Sequence, residues 1–135
     1  MAAELNKIIL AEQGALKLLL EVLDEQFEYL TKRDLFSLDK VSHKLHECSV
    51  KVAHLEMERR KVTYGEAMSK VIEETKDEEL KNNYRNIIRL LEEIHVQKDT
   101  NDMLIRQGLG FTTQMLNLLN PDKTSKTYNS YGKSR

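Results

Sequence analysis

Apolar residues recur along this chain at steps of three and four, in four successive stretches. From about Glu4 to Lys32, Leu5, Ile8, Ile9, Leu16, Leu19, Leu20, Leu23, Phe27 and Leu30 fall on one side. That spacing predicts an amphipathic helix about 43 Å long, at 1.5 Å per residue. Gly14 inside it costs roughly 1 kcal/mol of helix propensity relative to Ala. Arg33-Asp34 marks a turn, with Asp34 suited to cap the helix that follows. The second helix spans about Leu35 to Val62, and Leu38, Val41, Leu45, Cys48, Val52 and Leu55 keep a three-four alternation like a coiled-coil seam. Arg59 occupies the next seam position, so the seam either frays there or the arginine snorkels.

Thr63-Tyr64-Gly65 breaks the pattern, and a short helix is predicted from about Glu66 to Glu74. After Thr75-Lys76-Asp77, a long C-terminal helix is predicted from about Asp77 to Leu119. Asp77, Glu78 and Glu79 suit the positive end of its dipole. Its stripe of Leu80, Tyr84, Ile87, Ile88, Leu91 and Ile94 is interrupted at Lys98 and Asn101, then resumes at Leu104 and Ile105. Gly108 and Gly110 together cost about 2 kcal/mol of propensity, so this end is expected to be mobile, kinked or ordered on binding. Asn120-Pro121 stops the helix, because a residue before proline avoids the α region. No stretch reads as a strand.

The expected fold is therefore all-α: an elongated antiparallel bundle of three long helices plus one short helix, with coiled-coil-like packing. Residues 1–120 form the one helical domain, and 121–135 a flexible, disordered tail.

Composition sharpens this picture. Charged residues make up 32% of the 135, with only five glycines and one proline, a bias of long helices. Net charge is −1, which supplies no bulk attraction to nucleic acid or anionic membrane. It is unevenly placed: residues 121–135 carry +3, and the first 120 carry 17 basic and 21 acidic side chains, a net of −4. Cys48 is the one cysteine, so no internal disulfide forms, which fits a reducing compartment. The N-terminus lacks the basic region and long apolar core of a secretion signal, and no apolar run reaches the roughly 20 residues of a membrane span. A soluble cytoplasmic protein is expected, with no membrane insertion.

Candidate chemistry is sparse. His43 and His46 lie three apart beside Glu47 and Cys48, but the seam claims Cys48 and no second ligand cluster accompanies them, so no metal is expected. Gly108-Leu109-Gly110 lacks the strand, third glycine and lysine of a phosphate loop. Glu73-Glu74 and Glu92-Glu93 fall on charged faces, without the burial that acid-base catalysis requires. Arg59-Arg60-Lys61 is a short basic cluster without interleaved aromatics or a helix-turn-helix pattern, so no nucleic-acid partner is expected. No catalytic residue and no cofactor are assigned.

What stands out is the apolar stretch Leu104, Ile105, Leu109, Phe111, Met115, Leu116, Leu118 and Leu119, on an arc of roughly 180° against the ~100° of an ordinary amphipathic face. Periodicity leaves two readings open: core covered by the bundle, or an exposed face for a partner. Leucine and methionine suit a surface that adapts to its partner.

These residues also carry a resemblance. The Arg33-Asp34-Leu35 turn, Leu55-Glu56-Met57-Glu58-Arg59, Asn101-Asp102-Met103-Leu104-Ile105, Phe111, Met115-Leu116-Asn117-Leu118-Leu119-Asn120 and Thr127-Tyr128-Asn129 follow in an order similar to the FlgN-type flagellar type III export chaperones. The resemblance covers essentially the whole chain. It implies a non-enzymatic cytoplasmic chaperone that binds hook-associated (hook-filament junction) proteins, prevents their premature association and delivers them to the membrane export gate. Carried onto this chain, it implies cargo contacts at Leu104, Ile105, Leu109, Phe111, Met115, Leu116, Leu118 and Leu119. It also implies gate docking at Tyr128, with Tyr131 second. The chain departs from the family's pattern at Asn129, where glycine often follows the tyrosine, and at the Gly108/Gly110 pair. A self-associating coiled-coil adaptor, homodimeric through the same apolar stretch, is the alternative from another class.

Overall fold

The computed structural model of the protein describes residues 2–107. Four helices follow in order: α1 Ala2–Lys32, α2 Leu35–Val62, α3 Met68–Glu74 and α4 Glu78–Arg106. No strand occurs among the described residues. The stretch 108–119 of the predicted C-terminal helix, and the tail 121–135, lie outside the described residues.

Each reversal follows from local backbone chemistry. At the end of α1, Arg33 takes a positive φ of 56°, and the Asp34 N–H reaches back to Tyr29 O at 3.0 Å. This is the Schellman closure, which satisfies carbonyls left open at a helix end. Asp34 then caps α2, accepting from Ser37 N–H at 3.2 Å and Ser37 Oγ–H at 2.7 Å. Those bonds from the Ser37 hydroxyl and backbone hold the Asp34 carboxyl below its ordinary pKa. One dipeptide thus ends one helix and starts the next.

The same closure recurs after α2, where Tyr64 has φ 54° and the Gly65 N–H donates to Arg60 O at 2.9 Å. Gly65, at φ 77°, takes a conformation that side chains avoid. Ala67 is extended, so α3 begins at Met68 rather than at the expected Glu66. Asp77 is the cap of α4 rather than its first residue, accepting from Glu79 and Leu80 N–H at 3.0 and 3.3 Å.

The long helices run up, down and up. Lys44 meets Glu25 and Arg59 meets Glu12, so α2 is antiparallel to α1. Asn6 bonds Asp77 near the start of both α1 and α4, and Asn101 bonds Leu23 O near their ends, so α4 is parallel to α1. Helix α1 packs along both α2 and α4, whereas α2 and α4 approach one another little and α3 rests on α4. The core is therefore strung along α1. One cluster joins Leu5, Ile9, Leu16 and Leu23 to Met68 and Val71 of α3 and to Leu80, Ile87 and Ile94 of α4. A second, at the other end, joins Val22 and Leu30 to Leu38, Val41 and Cys48 of α2 and Ile105 of α4.

The centre line of α1's buried face is Leu5, Ile9, Glu12, Leu16, Leu19, Leu23, Gln26 and Leu30, stepping by four and three like a coiled-coil seam, with two polar residues inside it. Ala15 and Val22 are buried beside that line, while Phe27 lies outside it and is exposed.

Candidate partner-binding site

The end of α4 is where the predicted partner face begins, and it is held by a polar network. Asn101, fully buried, donates through Nδ2 to Leu23 O and to Gln26 Oε1, both at 2.9 Å, and accepts from Gln97 Nε2 at 3.0 Å. One side chain thus ties α4 to both the backbone and a side chain of α1. Periodicity alone reads Asn101 as a gap in the stripe. It is instead a core residue, because its partners Gln26 and Leu23 O are buried polar groups that require it. Lys98, the other interruption, is exposed and pairs with Asp102 at 3.1 Å.

Ile105 is 1% exposed and sits among Leu30, Leu38 and Val41. It packs inside the bundle, so in this state it presents no free face to a partner. Leu104 is half-buried against the same cluster, and Met103 is exposed. Gln107 caps α4, its N–H on Met103 O at 2.9 Å. Leu109, Phe111, Met115, Leu116, Leu118, Leu119, Tyr128 and Tyr131 lie outside the described residues. The structure therefore places two of the ten predicted site residues, Leu104 and Ile105, at the end of α4.

Other predicted features resolve simply. His43 and His46 are exposed, His43 facing Asp39 at 3.7 Å, and Glu73, Glu74, Glu92 and Glu93 are exposed. Burial pushes the Cys48 thiol above its ordinary range, with the Glu47 carboxylate adding to the shift. No described helix is long and apolar enough to cross a membrane.

A second feature was not foreseen. Arg59, read as a place where the seam opens, points back to α1, its Nε 3.0 Å from Glu12 Oε1; only 18% and 8% of the two side chains are exposed. The N–H is not aimed along that line, so the contact is an ion pair without a well-formed hydrogen bond, and Glu12 Oε1 has no other donor. Burial raises the Glu12 carboxyl pKa, and the Arg59 charge offsets part of the rise. The pair borders a cavity of about 190 Å³ between α2 and α4, floored by Ile9 and Leu16 of α1. The signal was present in the sequence: Glu12 lies between Ile9 and Leu16 on the α1 seam, and Arg59 lies on the α2 seam.

A family model described as FlgN protein matches residues 1–135, the whole chain. The chain belongs to the FlgN family. No curated protein and no solved structure matches it. FlgN proteins are flagellar export chaperones. Within this FlgN chain the segments that carry the resemblance are now located. Arg33-Asp34 forms the α1–α2 reversal, Leu55–Arg59 brings the arginine onto Glu12, and Asn101–Ile105 contributes two residues to the core. These FlgN-like segments shape the bundle, and the apolar residues 109–119 follow them in the sequence.

Proposed function

We propose that this FlgN-family chaperone works in the cytoplasm. There it holds the C-terminal helical segments of hook-associated proteins, keeps those segments from associating early and delivers them to the export gate. The cargo contacts are Leu104, Leu109, Phe111, Met115, Leu116, Leu118 and Leu119, with Ile105 anchoring the segment from inside the bundle. Tyr128, with Tyr131 second, docks the loaded chaperone on the gate's cytoplasmic domain. An aromatic ring can insert there while its hydroxyl stays hydrated.

The observation that carries this reading is the family match over residues 1–135, joined to an apolar segment that continues directly from the fixed end of α4. Anchored by Asn101 and Ile105, that end starts the segment from a defined position. An amphipathic cargo helix buries its apolar face against such a segment.

Calorimetric titration with C-terminal fragments of hook-associated proteins tests it, using the full chain beside a truncation after Gln107. That truncation retains Asn101 and Ile105. Binding at 1:1 by the full chain, lost on truncation, is expected. No binding, together with a stable homodimer by light scattering, would instead identify a self-associating adaptor.

A further inference from the structure

The cavity beside Glu12 lies about 24 Å from Leu104, taking 1.5 Å per residue along α4 from Ile88. Its walls are Ile9 and Leu16 of α1, Val52 of α2, Met68 of α3, and Tyr84 and Ile87 of α4. At about 190 Å³ it is smaller than the roughly 300 Å³ at which small-molecule and cofactor sites begin, and it has room for one long side chain. Its rim continues as apolar surface, because Ile88 and Leu91 line it and remain 38% and 44% exposed. The cleft exists because α2 and α4 both pack on α1 and hardly on each other.

The polar end of the cavity is charged. Glu12 and Glu56 contribute two carboxylates to the lining against the one guanidinium of Arg59. Arg60 bonds Glu56 at 2.6 Å from the solvent side, itself two-thirds exposed, and Arg59 Nη2 is 3.9 Å from the same oxygen. Glu12 is more than nine-tenths buried, and the one donor near its Oε1, Arg59 Nε at 3.0 Å, is poorly aligned. A buried carboxylate oxygen of this kind can take a second, better-directed donor.

We infer that this cleft is a docking site for an amphipathic helix of a partner protein, which inserts a lysine between α2 and α4 and sets its ammonium on the Glu12 carboxylate. Lysine fits the shape: four methylenes bury against the apolar walls and a compact head carries three donors. The planar fork of arginine would have to lie beside the guanidinium already there. The apolar residues flanking the lysine cover Ile88 and Leu91. The lining is drawn from residues 9–91, so the assignment does not rest on residues 104–119 binding cargo.

The test uses the full chain with isoleucine δ1-methyl labelling, because Ile9, Ile87 and Ile88 line the cleft while Ile8, Ile72, Ile94 and Ile105 do not. Three amphipathic helical peptides are titrated, identical except for lysine, acetyl-lysine or norleucine at the centre of the apolar face. The expected result is that the lysine peptide shifts the Ile9, Ile87 and Ile88 methyls. It should bind about tenfold more tightly than the other two, the effect of one charged hydrogen bond. Glu12→Gln should abolish that preference.

Equal binding of the three peptides would overturn the assignment, as would shifts confined to the other isoleucines or no shifts at all. A lysine preference that survives in folded Glu12→Gln would also overturn it. If that variant does not fold, the acetyl-lysine comparison on the unaltered protein decides alone.

Discussion

Glu12 and Asn101 place polar groups inside an apolar seam, and they do so with different electrostatic consequences. Asn101 is neutral and bonded to three partners, so its burial costs little and its loss would strand Gln26. Glu12 is ionisable and lacks a well-aligned donor at Oε1. Burial raises its carboxyl pKa above the ordinary 4.5, so the folded protein holds this proton more tightly than the unfolded chain does. In the window above pH 4.5 the native state then binds more protons than the unfolded state, and the Glu12 contribution to stability falls as pH rises. Glu12→Gln does not titrate there. Urea unfolding from pH 4.5 upward should show wild type losing ground to Glu12→Gln until the pH passes the raised pKa of Glu12; a difference constant with pH would contradict the raised pKa. The lysine proposed for the cleft would supply a better-directed donor.

At the scale of the element, the helices are set by their ends more than by their interiors. Arg33 and Tyr64 accept positive φ so that α1 and α2 can close, and Asp34 and Asp77 cap the helices that follow. Interior Gly14 plays no comparable part. It is exposed in the middle of α1, and an added Cβ there would meet nothing within 4 Å. Gly14→Ala should therefore raise stability by about 1 kcal/mol, or roughly 3–5 °C in Tm for a domain of this size. Thermal unfolding followed by circular dichroism measures it. An unchanged or lowered Tm would mean that this face of α1 meets something the bundle alone does not show.

For the whole molecule, the polar intrusions match across helices. Glu12 of α1 meets Arg59 of α2, Gln26 of α1 meets Asn101 of α4, and Asn6 of α1 bonds both Asp77 and Asn83. Apolar seams tolerate sliding by a heptad, whereas a buried polar group displaced from its partner is costly, so these pairs fix register. They also hold α4 parallel to α1 over its whole length, which positions its end at Gln107. Two substitutions separate packing from binding in the C-terminal apolar stretch. Ile105→Asp buries a charge in the second cluster and should unfold or strongly destabilise the protein, by about 3 kcal/mol or more. Leu116→Asp should leave helix content and melting unchanged while weakening binding of hook-associated fragments at least tenfold. Melting that collapses in Leu116→Asp would place that residue in the core and remove it from the cargo face.

Periodicity by itself determined the helices, their order and most of their bounds, because three-four spacing, caps and turn residues act within a few residues along the chain. It located α2 to the residue and α1 to within two. It also read the Arg33-Asp34 and Tyr64-Gly65 reversals, whose chemistry is local. The same positions carried the family resemblance, which the match over residues 1–135 bears out. What only the tertiary structure decided is which polar residues are inside. Asn101 looked like a gap, Arg59 like a frayed end and Ile105 like a partner contact, yet each finds its place on another helix. Periodicity reports which face a residue occupies but not what stands opposite. The cost of burying Glu12, Gln26 or Asn101 depends wholly on that opposing group, so it is settled only when the helices meet.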